Sequence, residues 1–144
     1  MIVLDTDLLT IVQRADSAEY RRLVNRLNAA REETVAVTIV SIEEQMRGWL
    51  AWIAQARTLE RQVEAYARLH ALFEDFQTRP VLAFDSLAAG EFQRLKRMNI
   101  RVGTMDLKIA SVVLAHGGLL LSRNVKDFQR VPDLKIEDWT SASQ

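Results

Sequence analysis

Short uninterrupted apolar runs alternate along this chain with longer stretches in which apolar residues recur every three or four positions, and the two rhythms predict strands and helices respectively. Ile2-Val3-Leu4 and the β-branched run Val35-Ala36-Val37-Thr38-Ile39-Val40 have the character of strands covered on both faces, hence central and parallel. Between them, Ser17 to Ala30 carries Tyr20, Leu23, Val24 and Leu27 at helical steps. Ser41 takes an N-cap position after the second run, with Glu44 closing a capping box, which predicts a helix reaching Gly48. No Gly or Pro interrupts Trp49 to Phe76, where Leu59, Val63, Tyr66, Leu69, Leu72, Phe73 and Phe76 keep the helical period; Trp49 to Ala56 reads as a turn between two helices.

Pro80 ends that segment, Val81-Leu82-Ala83-Phe84 reads as a third strand, and Asp85 caps a helix that stops before Asn99, with Leu87, Phe92 and Leu95 inward. Gly103-Thr104 precedes a helix through Ala115, with Leu107, Ile109, Ala110, Val113 and Leu114 on its buried side, and Gly117-Gly118 end it. Leu119-Leu120-Leu121-Ser122 is a fourth strand, Val125 to Phe128 a short turn, and Leu134-Lys135-Ile136 a small edge strand. There is no internal repeat, low-complexity segment or linker. Strands alternating with helices predict one domain over residues 1–144, of class α/β: a three-layer α/β/α sandwich on a mainly parallel central sheet, with right-handed connections.

Composition changes this picture chiefly by exclusion. With 144 residues the chain is long enough for a core without staples, and 49% hydrophobic with 26% charged residues is a soluble mixture with no run able to cross a bilayer. Asp5 and Asp7 fall where the apolar run of a secretory signal belongs, and Cys 0 removes disulfides and thiolate metal sites, so a cytoplasmic location is expected. A formal net charge of +0 gives no global pull toward a polyanion. Nucleic acid would have to be held by local basic residues or by a bound cation.

The acids supply candidate chemistry. Ligands of a parallel sheet gather beyond the carboxyl ends of its strands. Asp5 and Asp7 follow the first predicted strand, Glu44 the second, and Asn124 and Asp127 the fourth, while Asp106 opens the helix after Gly103. Carboxylates crowded into one cleft raise one another's pKa, and a hard divalent cation with oxygen ligands, Mg2+ or Mn2+, relieves the repulsion. His70 and His116 are the only imidazoles, so zinc is poorly supported. Each acid also has a purely structural reading. Glu44 could simply close a capping box, Asp106 could complement a helix dipole, Asp85 and Asp7 could be N-caps, and Asn124 and Asp127 could be turn residues. Their shared placement is the argument for a site.

Taken in order, Ile2-Val3-Leu4-Asp5-Thr6-Asp7, Ser41-Ile42-Glu43-Glu44-Gln45-Met46-Arg47-Gly48, Val102-Gly103-Thr104-Met105-Asp106-Leu107-Lys108-Ile109-Ala110, Ser122-Arg123-Asn124-Val125-Lys126-Asp127-Phe128 and Ile136-Glu137-Asp138-Trp139 cover nearly the whole chain. Together they resemble the PIN-domain ribonucleases, specifically the VapC-type toxins of toxin–antitoxin pairs. The resemblance implies catalytic acids at Asp5, Glu44 (rather than Glu43) and Asp106, and a fourth polar position at Asn124 or Asp127. It implies Asp5 and Asp106 as ligands of Mg2+ or Mn2+, Glu44 as the group that positions or deprotonates water, and Thr6 and Ser122 in support. It further implies an RNA substrate, a VapB-like antitoxin and a homodimer, with no membrane association. The family uses Asn or Asp at the place of Asn124, so with Asn there a full four-acid cluster requires Asp127, and Asp7 is a departure, standing where relatives commonly carry Asn.

Lys96, Arg97, Arg101, Lys108, Arg123, Lys126 and Arg130 lie near the acidic segments in chain order, as a basic rim for RNA or as ordinary solvated helix faces. Trp49, Leu50, Trp52 and Ile53 form an apolar cluster that is either core or a groove for an antitoxin segment. Two rivals remain. Asp5-Thr6-Asp7 also looks like the Asp-x-Asp of haloacid-dehalogenase-type phosphatases, although the following Gly-Thr and a later Gly-Asp pair are missing; and Asn124 leaves room for a catalytically weak PIN fold acting as a binding module.

Overall fold

The computed structural model describes residues 1–142. In chain order its elements are β1 (Ile2–Leu4), α1 (Thr6–Arg14), α2 (Ala18–Ala29), β2 (Val35–Thr38), α3 (Ile39–Gln55), α4 (Leu59–Phe76), β3 (Val81–Leu82), α5 (Ser86–Arg97), α6 (Thr104–His116), β4 (Leu119–Leu121), α7 (Val125–Phe128) and β5 (Lys135–Glu137). The strands form a single sheet in the order β3-β2-β1-β4-β5, every neighbouring pair parallel.

Register explains how such short strands build two cores. Val3 is aligned with Ala36 and Leu120, and these three point to one face, where Leu95 of α5 and Leu107, Ile109, Ala110 and Val113 of α6 cover them. Their neighbours Ile2, Leu4, Val37 and Leu121 point to the other face, against Leu8 and Leu9 of α1 and Leu23 of α2. Side chains alternate faces along a strand, so one row of the sheet feeds each layer. The chain runs from β1 outward through β2 to β3 and then returns to place β4 on the opposite side of β1. That reversal creates a crevice beyond the carboxyl ends of β1 and β4, the position where parallel sheets take their ligands.

Several local expectations are corrected. The second strand stops at Thr38 rather than Val40, because the Thr38 hydroxyl accepts the Ser41 N–H at 3.1 Å and caps α3. Ser41 is therefore inside the helix and makes no capping box with Glu44. The expected turn at Trp49 to Ala56 is helical through Gln55, the break falling at Ala56, and Thr58 caps α4. Asp5, not Asp7, caps α1 by accepting the Leu8 N–H. The third strand pairs over Val81–Leu82 alone, and the short turn after β4 is the one-turn helix α7. Leu87 faces out; Ala88 and Leu95 are the buried residues of α5. On α4 the helical period is as read but the orientation differs: Ala65 and Leu72 face the protein, whereas Leu59, Val63, Tyr66 and Phe73 are exposed.

Candidate active site

Three chain segments meet at the crevice. Leu4 is paired with Val37 on one side and Leu121 on the other, so the residues that follow, Asp5, Thr38 and Ser122, leave the sheet side by side. Asp5 is 7% exposed. One of its oxygens accepts the Leu8 N–H at 2.9 Å and the other accepts the Ser122 hydroxyl, which in turn accepts the Asn124 N–H at 2.9 Å. A buried carboxylate with two donors on it is fixed in direction before anything binds.

Glu44 is brought in by the start of α3. Capping by Thr38 sets the phase of that helix so that Ser41 and Glu44 share the face toward α1. There the Thr6 hydroxyl donates to Glu44 Oε1 at 2.6 Å and lies 2.9 Å from the Ser41 hydroxyl. Glu43, one position away, instead pairs with Arg47 at 2.5 Å on the outer surface. Asp106 enters from the first turn of α6.

The result is a cavity of about 350 Å³ lined by Asp5, Thr6, Asp7, Thr10, Glu44, Asp106, Asn124 and Phe128. Of the residues singled out from the sequence, Asp5, Thr6, Glu44, Asp106 and Asn124 thus share one wall-to-wall space. Ser122 lies behind it, fully buried beneath Asp5. Asp127 stands at the margin, accepting the Asn124 side-chain amide at 3.1 Å and lying 3.7 Å from Arg130. Asp7 is on the rim, where Arg123 donates to both of its oxygens at 2.6 and 2.9 Å. The imidazoles are elsewhere: His70 is on the solvent side of α4 and His116 at the far end of α6.

The electrostatics record the crowding. Burial pushes the Asp5 carboxyl up from 3.8 to about 6, against the opposing pull of its Ser122 and Leu8 hydrogen bonds, with Asp7 and Asp106 adding repulsion. Asp106 is raised too, by burial first and then by Glu44 and Asp127. These acids resist simultaneous ionisation unless a cation joins them. Every polar side chain in the pocket offers oxygen or amide, with neither sulfur nor imidazole, which is the preference of Mg2+ or Mn2+. Among the described residues no group of three or more Asp, Glu, His or Cys side chains is arranged to hold a metal ion.

Sequence reading alone passed over Thr38, Thr10 and the pair Gln13 and Gln45. Thr38 was hidden inside a β-branched run; the Thr-x-x-Ser spacing to Ser41 was the signal available. The two glutamines exchange hydrogen bonds between α1 and α3 at 2.8 and 3.1 Å, a contact that needs both helices in place.

An acid-lined pocket thus lies at the switch point of a parallel α/β sheet. The chain belongs to the PIN domain family, whose model matches residues 2–134. Among curated relatives, "Ribonuclease VapC1" of Haemophilus influenzae (strain R2866) is 44% identical over 46 residues, 32% of this chain and 34% of that protein, so the alignment spans about a third of its length. The "tRNA(fMet)-specific endonuclease VapC" of Salmonella typhimurium is 26% identical over 137 residues, 95% of this chain and 96% of that one. Among solved structures, VapBC-1 from nontypeable Haemophilus influenzae superposes with a TM-score of 0.74 at 21% identity, covering 98% of this chain and 100% of the other. DNA-bound VapBC from Salmonella typhimurium gives 0.71 at 21% identity over 96% and 97%. At these identities the structural likeness is one of fold.

Proposed function

We propose that this chain is an endoribonuclease of the VapC toxin type that hydrolyses RNA phosphodiester bonds with a divalent ion, Mg2+ or Mn2+, and is restrained by a VapB-like antitoxin. The observation that carries the reading is the meeting of Asp5, Glu44, Asp106 and Asn124 in one cavity of a PIN-family chain. Relatives named as ribonucleases or a transfer-RNA endonuclease support it.

Asp5 and Asp106 hold the ion. When bound, it neutralises phosphate charge and favours ionisation of water. Glu44, steadied by Thr6, takes the proton of the attacking water; the water oxygen forms the new bond to phosphorus as the bond to the leaving nucleoside oxygen breaks, and that oxygen takes a proton from solvent water. Asn124, aligned by Asp127, orients the phosphate or an outer water. Ser122 keeps the Asp5 carboxylate aimed. No side-chain nucleophile is required. The bidentate Arg123 pair satisfies Asp7, which argues against Asp7 as the general acid of a phosphatase.

The partner surface we assign to the antitoxin is the apolar face of the α3–α4 hairpin. Leu50, Leu59, Val63, Tyr66 and Phe73 are each at least half exposed there, large apolar side chains of the kind that an amphipathic partner segment covers. The same reading carries a homodimer, checked by light scattering of the purified chain, and a cytoplasmic location; no helix among the described residues is long and apolar enough to cross a membrane.

The test is cleavage of single-stranded and structured RNA with Mg2+, Mn2+ or a chelator. Wild type should cut only with metal, Asp5→Ala and Asp106→Ala should lose roughly a thousandfold, and Asp7→Asn should stay substantially active. Full metal-dependent cleavage by Asp5→Ala would overturn the reading. Loss of all phosphate-ester hydrolysis in Asp7→Asn would favour the phosphatase, and a wild type inert toward every RNA would favour a binding module.

A further inference from the structure

Beside the acidic pocket lies an open groove of about 790 Å³, walled by α1, α3 and α4. The two spaces share Thr10 as a lining residue, so the groove adjoins the pocket. Its lining is unlike the apolar hairpin face. Trp49 and Trp52 stack on each other one turn apart, centroids 4.9 Å and planes 29° apart, and both border the groove. Arg14, at the end of α1, lines the groove from another wall and makes no ion pair among the described residues. Arg68 faces it with only a loose contact to Glu64 at 3.9 Å.

The floor is polar and already satisfied. Gln13 and Gln45 bond to each other, Gln45 also donates to the Thr10 hydroxyl at 3.2 Å, and Gln13 donates to Asp75 at 2.8 Å. Arg79 neutralises Asp75 at 2.6 Å, leaving Asp16 as the free carboxylate on the rim. Helices tied by side-chain amides keep a fixed trough open between them.

We propose that this groove is a subsite for the single-stranded RNA that flanks the scissile phosphate, with a base stacked on the Trp49–Trp52 pair and backbone phosphates on Arg14 and Arg68. The inference rests on the ribonuclease reading. A polymer with one phosphate among the acids must leave that pocket along some path, and Thr10 marks where the path opens. Aromatic faces with flanking guanidinium groups are the combination that grips single strands without reading sequence. The acids repel the polymer while this wall attracts it, so affinity resides in the groove and chemistry in the pocket.

Binding is measured by anisotropy with a labelled single-stranded oligoribonucleotide of about ten nucleotides. The protein is the full chain carrying Asp5→Asn with Mg2+, so that the probe stays intact. Adding Trp49→Ala, or Arg14→Ala with Arg68→Ala, should weaken binding about tenfold. Gly48 borders the groove and a Cβ there meets no non-neighbouring atom within 4 Å, so Gly48→Leu adds bulk to the trough and should weaken binding similarly. In the active chain the same changes should raise KM for long RNA with kcat unchanged, and leave a dinucleotide substrate cleaved as before.

Oligonucleotide affinity unchanged in all three variants would overturn the inference, including the case in which they lose binding of an antitoxin segment instead. Cleavage by wild type with unaltered variants sinks the groove alone. Absence of cleavage by wild type sinks the underlying function.

Discussion

Asp5 serves two purposes that conflict when the protein is free of metal. As the N-cap of α1 it must present an oxygen to Leu8, and as a buried acid it is held up near 6. Between roughly pH 4 and pH 6 the folded chain therefore binds more protons than the unfolded one, so metal-free stability falls as pH rises through that window. A shift from 3.8 to about 6 corresponds to about 3 kcal/mol lost by pH 7, and Asp106 contributes in the same direction. Metal-free melting curves from pH 4 to pH 7.5 should show the decline; a Tm that rises with pH across this range contradicts the assignment. Asp5→Asn keeps an oxygen for the Leu8 N–H and removes the charge, while its amide donates to the Ser122 oxygen in place of accepting from the hydroxyl. It should raise metal-free stability at pH 7.5 by about 1–3 kcal/mol in urea unfolding and abolish cleavage, so stability and activity move in opposite directions at one residue.

At the scale of elements, the helix caps decide which side chains meet. Thr38 is fully buried and ends β2 while starting α3, and without it the phase that brings Glu44 to Thr6 is no longer enforced. Thr38→Ala should cost about 1–2 kcal/mol in chemical unfolding and lower kcat more than it raises KM. An unchanged kcat would show that Glu44 is held by other contacts. The strand and helix rhythms and a mainly parallel sheet were legible in the sequence because Ile2-Val3-Leu4 and Leu119-Leu120-Leu121 are uninterrupted apolar runs, the pattern of strands covered on both faces. The facing of α4 was not, because Leu59, Val63, Tyr66 and Phe73 keep a helical period whether that stripe meets the core or a partner. Of the candidate site, Asp5 was readable as an acid at a strand end, Glu44 as one early in the following helix and Asp106 as one opening a helix. Thr6 was named only through the family resemblance, and Thr38 was hidden in a β-branched run, because their contacts form only once α1 and α3 are in place. Replacing Leu59 and Val63 together with Lys should leave Tm within a few degrees, as both are largely exposed, and should eliminate antitoxin binding in a pull-down; a collapse in Tm would mean the stripe is structural.

Across the whole molecule, the return of the chain to place β4 beside β1 does the assembling. It sets Ser122 under Asp5 although 117 residues separate them, and α6, arriving from the opposite layer, adds Asp106. The sheet is thus a frame on which repulsive groups are held near one another at the expense of metal-free stability, and in the proposed function a bound cation would relieve that repulsion. The direct measurement is anomalous diffraction from crystals of the full chain soaked in Mn2+ near pH 7.5. A single strong peak is expected between Asp5 and Asp106, within reach of Asn124 and lost in Asp106→Asn crystals. Manganese bound only elsewhere, or Asp5 and Asp106 turned into separate spaces with no ion between them, would contradict it.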